Sequence, residues 1–86
     1  MRIIRLDLFK KDYKKLSLDI QKQADKKITL LFTNFHHPSL RIKKIQGTKN
    51  IWEGRVTKSI RFTFQIIKDT FILRRIGRHN EVLRRP

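Results

Sequence analysis

The chain has no cysteine, which excludes disulfides, thiolate nucleophiles and cysteine-based zinc or iron sites together. Acid is scarce: 7 Asp plus Glu stand against 22 Lys plus Arg, a formal charge of +15 in 86 residues. Its 3 glycines, Gly47, Gly54 and Gly77, are isolated, so no glycine-rich loop is available to cradle a phosphate. The longest apolar runs are short, such as Ile28 to Phe32 broken by Thr29, and neither a membrane-spanning helix nor a secretory leader fits them. In the second half only Glu53, Asp69 and Glu81 are acidic, too few for a two-metal nuclease. His36-His37-Pro38 is read as a loop after a helix. Adjacent rings rarely face one ion, and no carboxylate cluster completes a metal site. No metal or other cofactor is expected.

What is present is enough for one small domain spanning residues 1–86. At about this size roughly 40% of the unfolded chain's surface stays exposed after folding, so a two-domain enzyme is excluded. With 38% hydrophobic and 9% aromatic residues the chain is nevertheless too apolar for simple disorder. Its charge sets up a positive field that draws in polyanions: a nucleic acid, an acidic protein or an anionic membrane surface is the expected partner, in a cytoplasmic setting. The charge is uneven. Residues 1–40 carry nine cations and four acids (net +5), whereas residues 41–86 carry thirteen and three (net +10), which assigns the anion-binding surface mainly to the second half.

Arg2-Ile3-Ile4-Arg5-Leu6 suits a short strand. Phe9, Tyr13, Leu16 and Ile20, then Ala24, Ile28, Leu31 and Phe35, recur at three- and four-residue intervals with lysines between them. That spacing predicts two helices, or one kinked helix, ending before Pro38, with Ser17 placed to cap the second. After a basic loop from Ser39 to Lys49 the period becomes alternating. Residues 51–57 put Trp52, Gly54 and Val56 on one face and Glu53, Arg55 and Thr57 on the other. Residues 59–67 set Ile60, Phe62, Phe64 and Ile66 against Arg61, Thr63 and Gln65. Residues 71–76 carry apolar side chains on both parities, as in a strand covered on both sides. Short turns at Thr57-Lys58 and Lys68-Asp69-Thr70 make the last three strands an antiparallel meander.

The order β-α-α-β-β-β predicts an α+β fold: two N-terminal helical segments packed on one face of a four-stranded, mostly antiparallel twisted sheet. Trp52, Phe62 and Phe64 should be buried beneath the helices, leaving the opposite face open. That face would carry Glu53, Arg55, Arg61 and Thr63. Arg41, Lys43 and Lys44 of the loop and Arg78, His79, Arg84 and Arg85 of the tail would form its rim, with Arg74 and Arg75 adding to the basic footprint.

Several stretches, taken in order, cover nearly the whole chain: Phe9-Lys10-Lys11-Asp12-Tyr13, Pro38-Ser39-Leu40 to Ile45-Gln46-Gly47, Ile51-Trp52-Glu53-Gly54-Arg55-Val56, Ile60-Arg61-Phe62-Thr63-Phe64, and Ile76-Gly77-Arg78-His79-Asn80-Glu81-Val82. In this set the sequence resembles the RelE/ParE superfamily of bacterial type II toxins, in particular the RelE-like mRNA interferases. The resemblance implies a toxin that cleaves messenger RNA on the ribosome, with ribosomal RNA contacts and no membrane partner, neutralised by an acidic, partly disordered antitoxin. It also implies metal-independent attack of a ribose 2′-hydroxyl on the adjacent phosphate. By position Arg61 matches the arginine of the family's aromatic-Arg strand motif, Arg55 a basic position of the preceding strand, and His79 a histidine after the last strand's glycine. Two positions depart: Glu53 stands where RelE has a lysine, and Leu83 where many members have a Tyr or Phe. The ParE branch implies the alternative, a non-enzymatic gyrase inhibitor, beside which stands a small RNA-binding protein without cleavage activity.

Within this frame His79 is the first choice for general acid or base, since imidazole is the one side chain near the cluster that ordinarily titrates near neutrality. Arg61 and Arg55 are expected on the scissile phosphate, where a guanidinium fork grips two oxygens. Glu53 is expected to orient them, because a carboxylate flanked by guanidiniums is a poor proton acceptor. Arg41, Lys43, Lys44, Arg78, Arg84 and Arg85 are expected to hold the RNA backbone.

Overall fold

The computed structural model describes residues 2–86. In chain order it contains β1 (Arg2–Arg5), α1 (Asp7–Lys14), α2 (Leu18–Thr33), a 3-10 turn (Pro38–Leu40), β2 (Lys43–Lys44), β3 (Trp52–Arg55), β4 (Ile60–Ile67), β5 (Thr70–Arg78) and α3 (His79–Arg84). The strands form one sheet in the order β1-β5-β4-β3-β2. β1 runs parallel to β5, and every other pairing is antiparallel. The α+β architecture agrees with the sequence reading, but the four strands become five and a third helix follows them. β2 is two residues in a basic loop, too few to show an alternation, and α3 spans under two turns, too few to show a helical stripe.

Ser17 caps α2 as its position suggests, its Oγ accepting the Ile20 N–H at 3.2 Å. α2 buries Ala24, Ile28 and Leu31, and α1 buries Phe9. The two helices are tied by the Tyr13 hydroxyl, which donates to Asp25 Oδ1 at 2.8 Å; that bond favours the protonated phenol and raises its pKa above the usual 10.0. Beneath them lie Phe62, Phe64, Phe71, Leu73 and Ile76 of the sheet, each such side chain contributing about 1.5–3 kcal/mol by leaving water. Phe35, past the end of α2, completes the cluster edge-on to Phe64 at 6.2 Å. Gly54 faces Phe62 across the β3–β4 pair, and a Cβ there would run into the Phe62 ring. Trp52, expected in the core, is only half-buried at the sheet margin.

β5 resolves its mixed parity with a bulge and is not uniformly covered on both sides. Thr63 pairs with Arg75 but Phe64 pairs with Leu73, so Arg74 is the extra residue and the inward phase shifts from Phe71 and Leu73 to Ile76. At the same place β1 has ended, and α1 takes over the edge of β5. Asp12 Oδ2 accepts the Ile76 N–H at 3.2 Å and the Arg75 Nε–H at 2.7 Å, while Oδ1 accepts from Arg75 Nη2 at 3.3 Å. The carboxylate is 9% exposed, so it depends on these donors for its solvation.

The far face of the sheet is not open throughout. α3 folds back over it, with Val82 buried and standing above Gly77, where an added Cβ would meet Val82 Cγ1 at 3.4 Å. Thr63, expected on an open face, is fully buried and donates to the Pro86 carbonyl oxygen at 3.1 Å. Arg74 Nε donates to the same oxygen at 3.2 Å, and Arg75 Nη1 to the Arg85 carbonyl oxygen at 3.2 Å. The tail therefore lies across the middle of this face and divides it. Replacing Asp12 with Ala strands the Arg75 guanidinium and the Ile76 N–H, and urea unfolding should show a loss of about 3 kcal/mol; Asp12→Asn, which keeps an acceptor for Ile76, should lose less.

Candidate functional site

The register of β2, β3 and β4 sets the site. Across the sheet Lys43 pairs with Glu53 and Glu53 with Thr63, while Arg55 pairs with Arg61. All but the Thr63 side chain line one cleft of about 350 Å3, completed by Arg41 and Ile42. Four cations thus surround one carboxylate. Two arginines directly opposite one another repel, and the Glu53 carboxylate, 5% exposed, offsets this from the cleft floor with Oε1 3.8 Å from Arg61 Nε. The Arg61 guanidinium is held from behind as well: Nη1 donates to the carbonyl oxygens of Thr57 at 2.7 Å and Lys58 at 2.9 Å in the β3–β4 loop. This loop is fastened in turn by Thr57 Oγ1, which accepts the Ile60 N–H at 3.2 Å.

Arg41 reaches the site by an unusual backbone. It ends the 3-10 turn in the left-handed region at φ 46°, ψ 49°, a conformation that disfavours any side chain. An arrangement of this kind can neutralise and grip a phosphodiester, with an excess of positive charge and a fixed carboxylate that holds one guanidinium in place.

The structure brings together Arg41, Lys43, Glu53, Arg55 and Arg61, and it sets the other expected residues apart. Lys44 pairs with Trp52 and so alternates to the opposite side of the sheet from Lys43. His79 opens α3 and is exposed; its backbone N–H donates to Ser59 at 2.9 Å, which anchors it beside the loop that holds Arg61. Its ring makes no hydrogen bond among the described residues and does not line the cleft. Arg78 is exposed at the end of β5, opposite Ile60. Arg84 is exposed in the last turn of α3. Arg85 belongs to a second recess, of about 790 Å3, with Lys49, Arg74 and Arg75 around Leu6 and Leu8. Among the described residues no group of three or more His, Asp or Glu side chains is placed to hold a metal ion.

Sequence reasoning missed the Asp12–Arg75 pair. The signal was present, since Asp12 stands three residues after Phe9 on the apolar stripe of α1, and a carboxylate on a buried stripe requires a cation or N–H groups.

Two helices and a short C-terminal helix on a mixed five-stranded sheet, with a cationic cleft where β2, β3 and β4 meet, define a class: the chain has the fold of the RelE/ParE superfamily of type II toxins. It is similar to YafQ from E. coli, with a TM-score of 0.80 at 16% identity over 93% of this chain and 94% of that one. It is also similar to a chain of the RelB-RelE antitoxin-toxin complex from Methanococcus jannaschii, with a TM-score of 0.75 at 25% identity over 92% and 93%. A copper-bound mutant toxin from Helicobacter pylori gives a TM-score of 0.82 at 22% identity over 95% and 98%. No protein-family model and no curated protein matches the sequence. Among the described residues no helix is long and apolar enough to cross a membrane.

If the cleft holds a nucleic-acid backbone, its cations release counterions on binding. Arg55→Ala and Lys43→Ala should each reduce the slope of log affinity against log salt for a single-stranded oligonucleotide by about 0.7. Arg2→Ala, on the far edge strand β1, should leave that slope unchanged.

Proposed function

We propose that this chain is the toxin of a type II toxin-antitoxin pair and that it acts as a metal-independent endoribonuclease on messenger RNA in the ribosome. The observation that carries this reading is the cleft of Arg41, Lys43, Arg55 and Arg61 around Glu53, within the fold of RelE, YafQ and their relatives. In the proposed reaction a ribose 2′-oxygen bonds to the neighbouring phosphorus, the bond from phosphorus to the 5′-oxygen breaks, and a proton passes from the attacking hydroxyl to the leaving oxygen. Negative charge grows on the phosphoryl oxygens between attack and departure, and guanidiniums already in place stabilise it without reorganising. Arg61, held by Glu53 and two carbonyls, supplies this with Arg55. Lys43 and Arg41 hold the strand, and Lys44, Arg78, Arg84 and Arg85 contact RNA outside the cleft.

His79 serves in proton transfer. Its ring stands outside the cleft, on a helix whose first N–H is tied to Ser59, so RNA bound in the cleft must bring the leaving oxygen to the ring. The acidic antitoxin implied by the toxin-antitoxin complexes among similar structures screens the +15 charge until it is removed.

Two features favour a second reading, a non-enzymatic ParE-like gyrase inhibitor or an RNA-binding protein that does not cut: the cleft contains no imidazole, and Leu83 stands where the family resemblance implies an aromatic ring. Expression of the chain in a growing bacterium separates the two. His79→Ala should slow transcript cleavage about 100-fold or more, and Arg61→Ala should abolish growth arrest, each with the fold retained by circular dichroism. Uncut transcripts with induced DNA damage would establish the gyrase reading, and undiminished cleavage by both variants would remove the mechanism.

A further inference from the structure

The cationic cleft has a neighbour of different chemistry. Arg41 and Ile42 also line a recess of about 440 Å3 whose other walls are Phe35, His36, His37, Pro38 and Trp52, a volume in the range of small-ligand sites. Trp52 is half-buried and His36 exposed, so two planar ring systems border the recess. His36 is set edge-on against Phe35, with centroids 5.3 Å apart and planes at 87°, which holds its orientation. His37 Nδ1 accepts the Ser39 N–H at 3.1 Å. A ring nitrogen that accepts carries no proton, so this bond assigns the neutral ring's hydrogen to Nε2, where it is a donor. Lys27 Nζ donates to the Ser39 carbonyl oxygen at 3.4 Å and pins the loop to α2. Metal binding, the other use of paired histidines, is unsupported: no third ligand is present among the described residues.

The geometry points to a nucleobase-binding recess: the base next to the phosphate held in the cleft turns around the β2 edge of the sheet and stacks between Trp52 and His36. Planar rings suit any base, and the His37 Nε2–H and the Arg41 guanidinium are the donors that the acceptor-rich edges of purines and pyrimidines take up. Arg41 lines both spaces, so one residue adjoins both phosphate and base. The 3-10 turn closes at Arg41 through its N–H on Pro38 at 3.2 Å, in the left-handed region at φ 46° that Asn50 and Lys68 also adopt. An acidic peptide would use the cations but not two stacking faces.

The inference rests on the RNA-binding reading, and one titration distinguishes the two. Trp52 is the chain's sole tryptophan, so its fluorescence reports on this recess alone. Two end-labelled single strands of equal length are used, one of mixed-sequence 2′-O-methyl RNA, which resists cleavage, and one abasic along its length. Both should bind by anisotropy, and only the base-bearing strand should quench Trp52. His36→Ala, at an exposed position, should weaken the base-bearing strand about fivefold or more while leaving the abasic strand unchanged. Binding of both strands with equal affinity and no quenching overturns the recess and leaves the RNA reading standing. Failure of both strands to bind overturns the two together.

Discussion

The bulge at Arg74 and the Asp12 carboxylate that holds it determine where the rest of the site lies. Without the extra residue Ile76 would turn away from the core and Gly77 would turn toward it. With it, Ile76 joins Phe62 beneath the helices and Gly77 faces the other way, opposite Arg61. A glycine at that point lets Val82 come close, so α3 folds back over the sheet instead of extending away from it. The position of His79, of the tail across Thr63, and of the cleft's open end all follow from that shift. Asp12 is therefore a structural charge with a long reach: it satisfies the backbone donor that the bulge exposes, and it binds the one arginine that lies between the bulge and the core.

The second constraint is electrostatic. A small body with a charge of +15 loses compactness to self-repulsion, and the register makes this worse at one point by placing Arg55 opposite Arg61. A pair of hydrophobic residues there would stabilise the sheet better. The presence of two arginines, and of a nearly buried glutamate whose nearest charge is Arg61, is understandable as preparation for an anion: the carboxylate fixes the guanidinium in advance and leaves the cleft with more positive charge than it can neutralise. The Glu53 position supplies order, and Arg41, Lys43 and Arg55 supply the charge.

Much of this was legible in the sequence because two periods survive intact. The Phe9–Phe35 stripe reads as helix, and Ser17 caps α2 where its hydroxyl should. The alternation through Trp52–Arg55 and Ile60–Ile67 by itself sets Glu53, Arg55 and Arg61 on one face. What was not legible depends on contacts distant in sequence or on pieces too short to have a period. Two residues of β2 take their conformation from β3. β1 finds its parallel partner in β5, 65 or more residues away, and α3 depends on Gly77. The mixed parity of 71–76 invites a two-sided burial reading because a bulge and a doubly covered strand look alike in sequence. Arg85 belongs with the cleft by charge alone, but the tail's bonds to Thr63, Arg74 and Arg75 carry it to the second recess.

The division of the sheet face by the tail gives its two basins different characters. The recess near Leu6 and Leu8 has an apolar floor and a cationic rim, the complement of an acidic amphipathic segment, and it contains no aromatic ring on which a base could stack. The cleft beside Glu53 has little apolar surface of its own but adjoins Trp52 and His36 around the sheet edge through Arg41. A polynucleotide presents charge and flat rings at alternating positions along one strand, and only the second basin offers both. Charge alone would draw a polyanion to either side of the tail; on the proposed reading, the rings at the β2 edge make the cleft side the one that also takes up bases. The left-handed Arg41 is the residue that joins the two requirements; Asn50 and Lys68 adopt the same backbone region but line neither space.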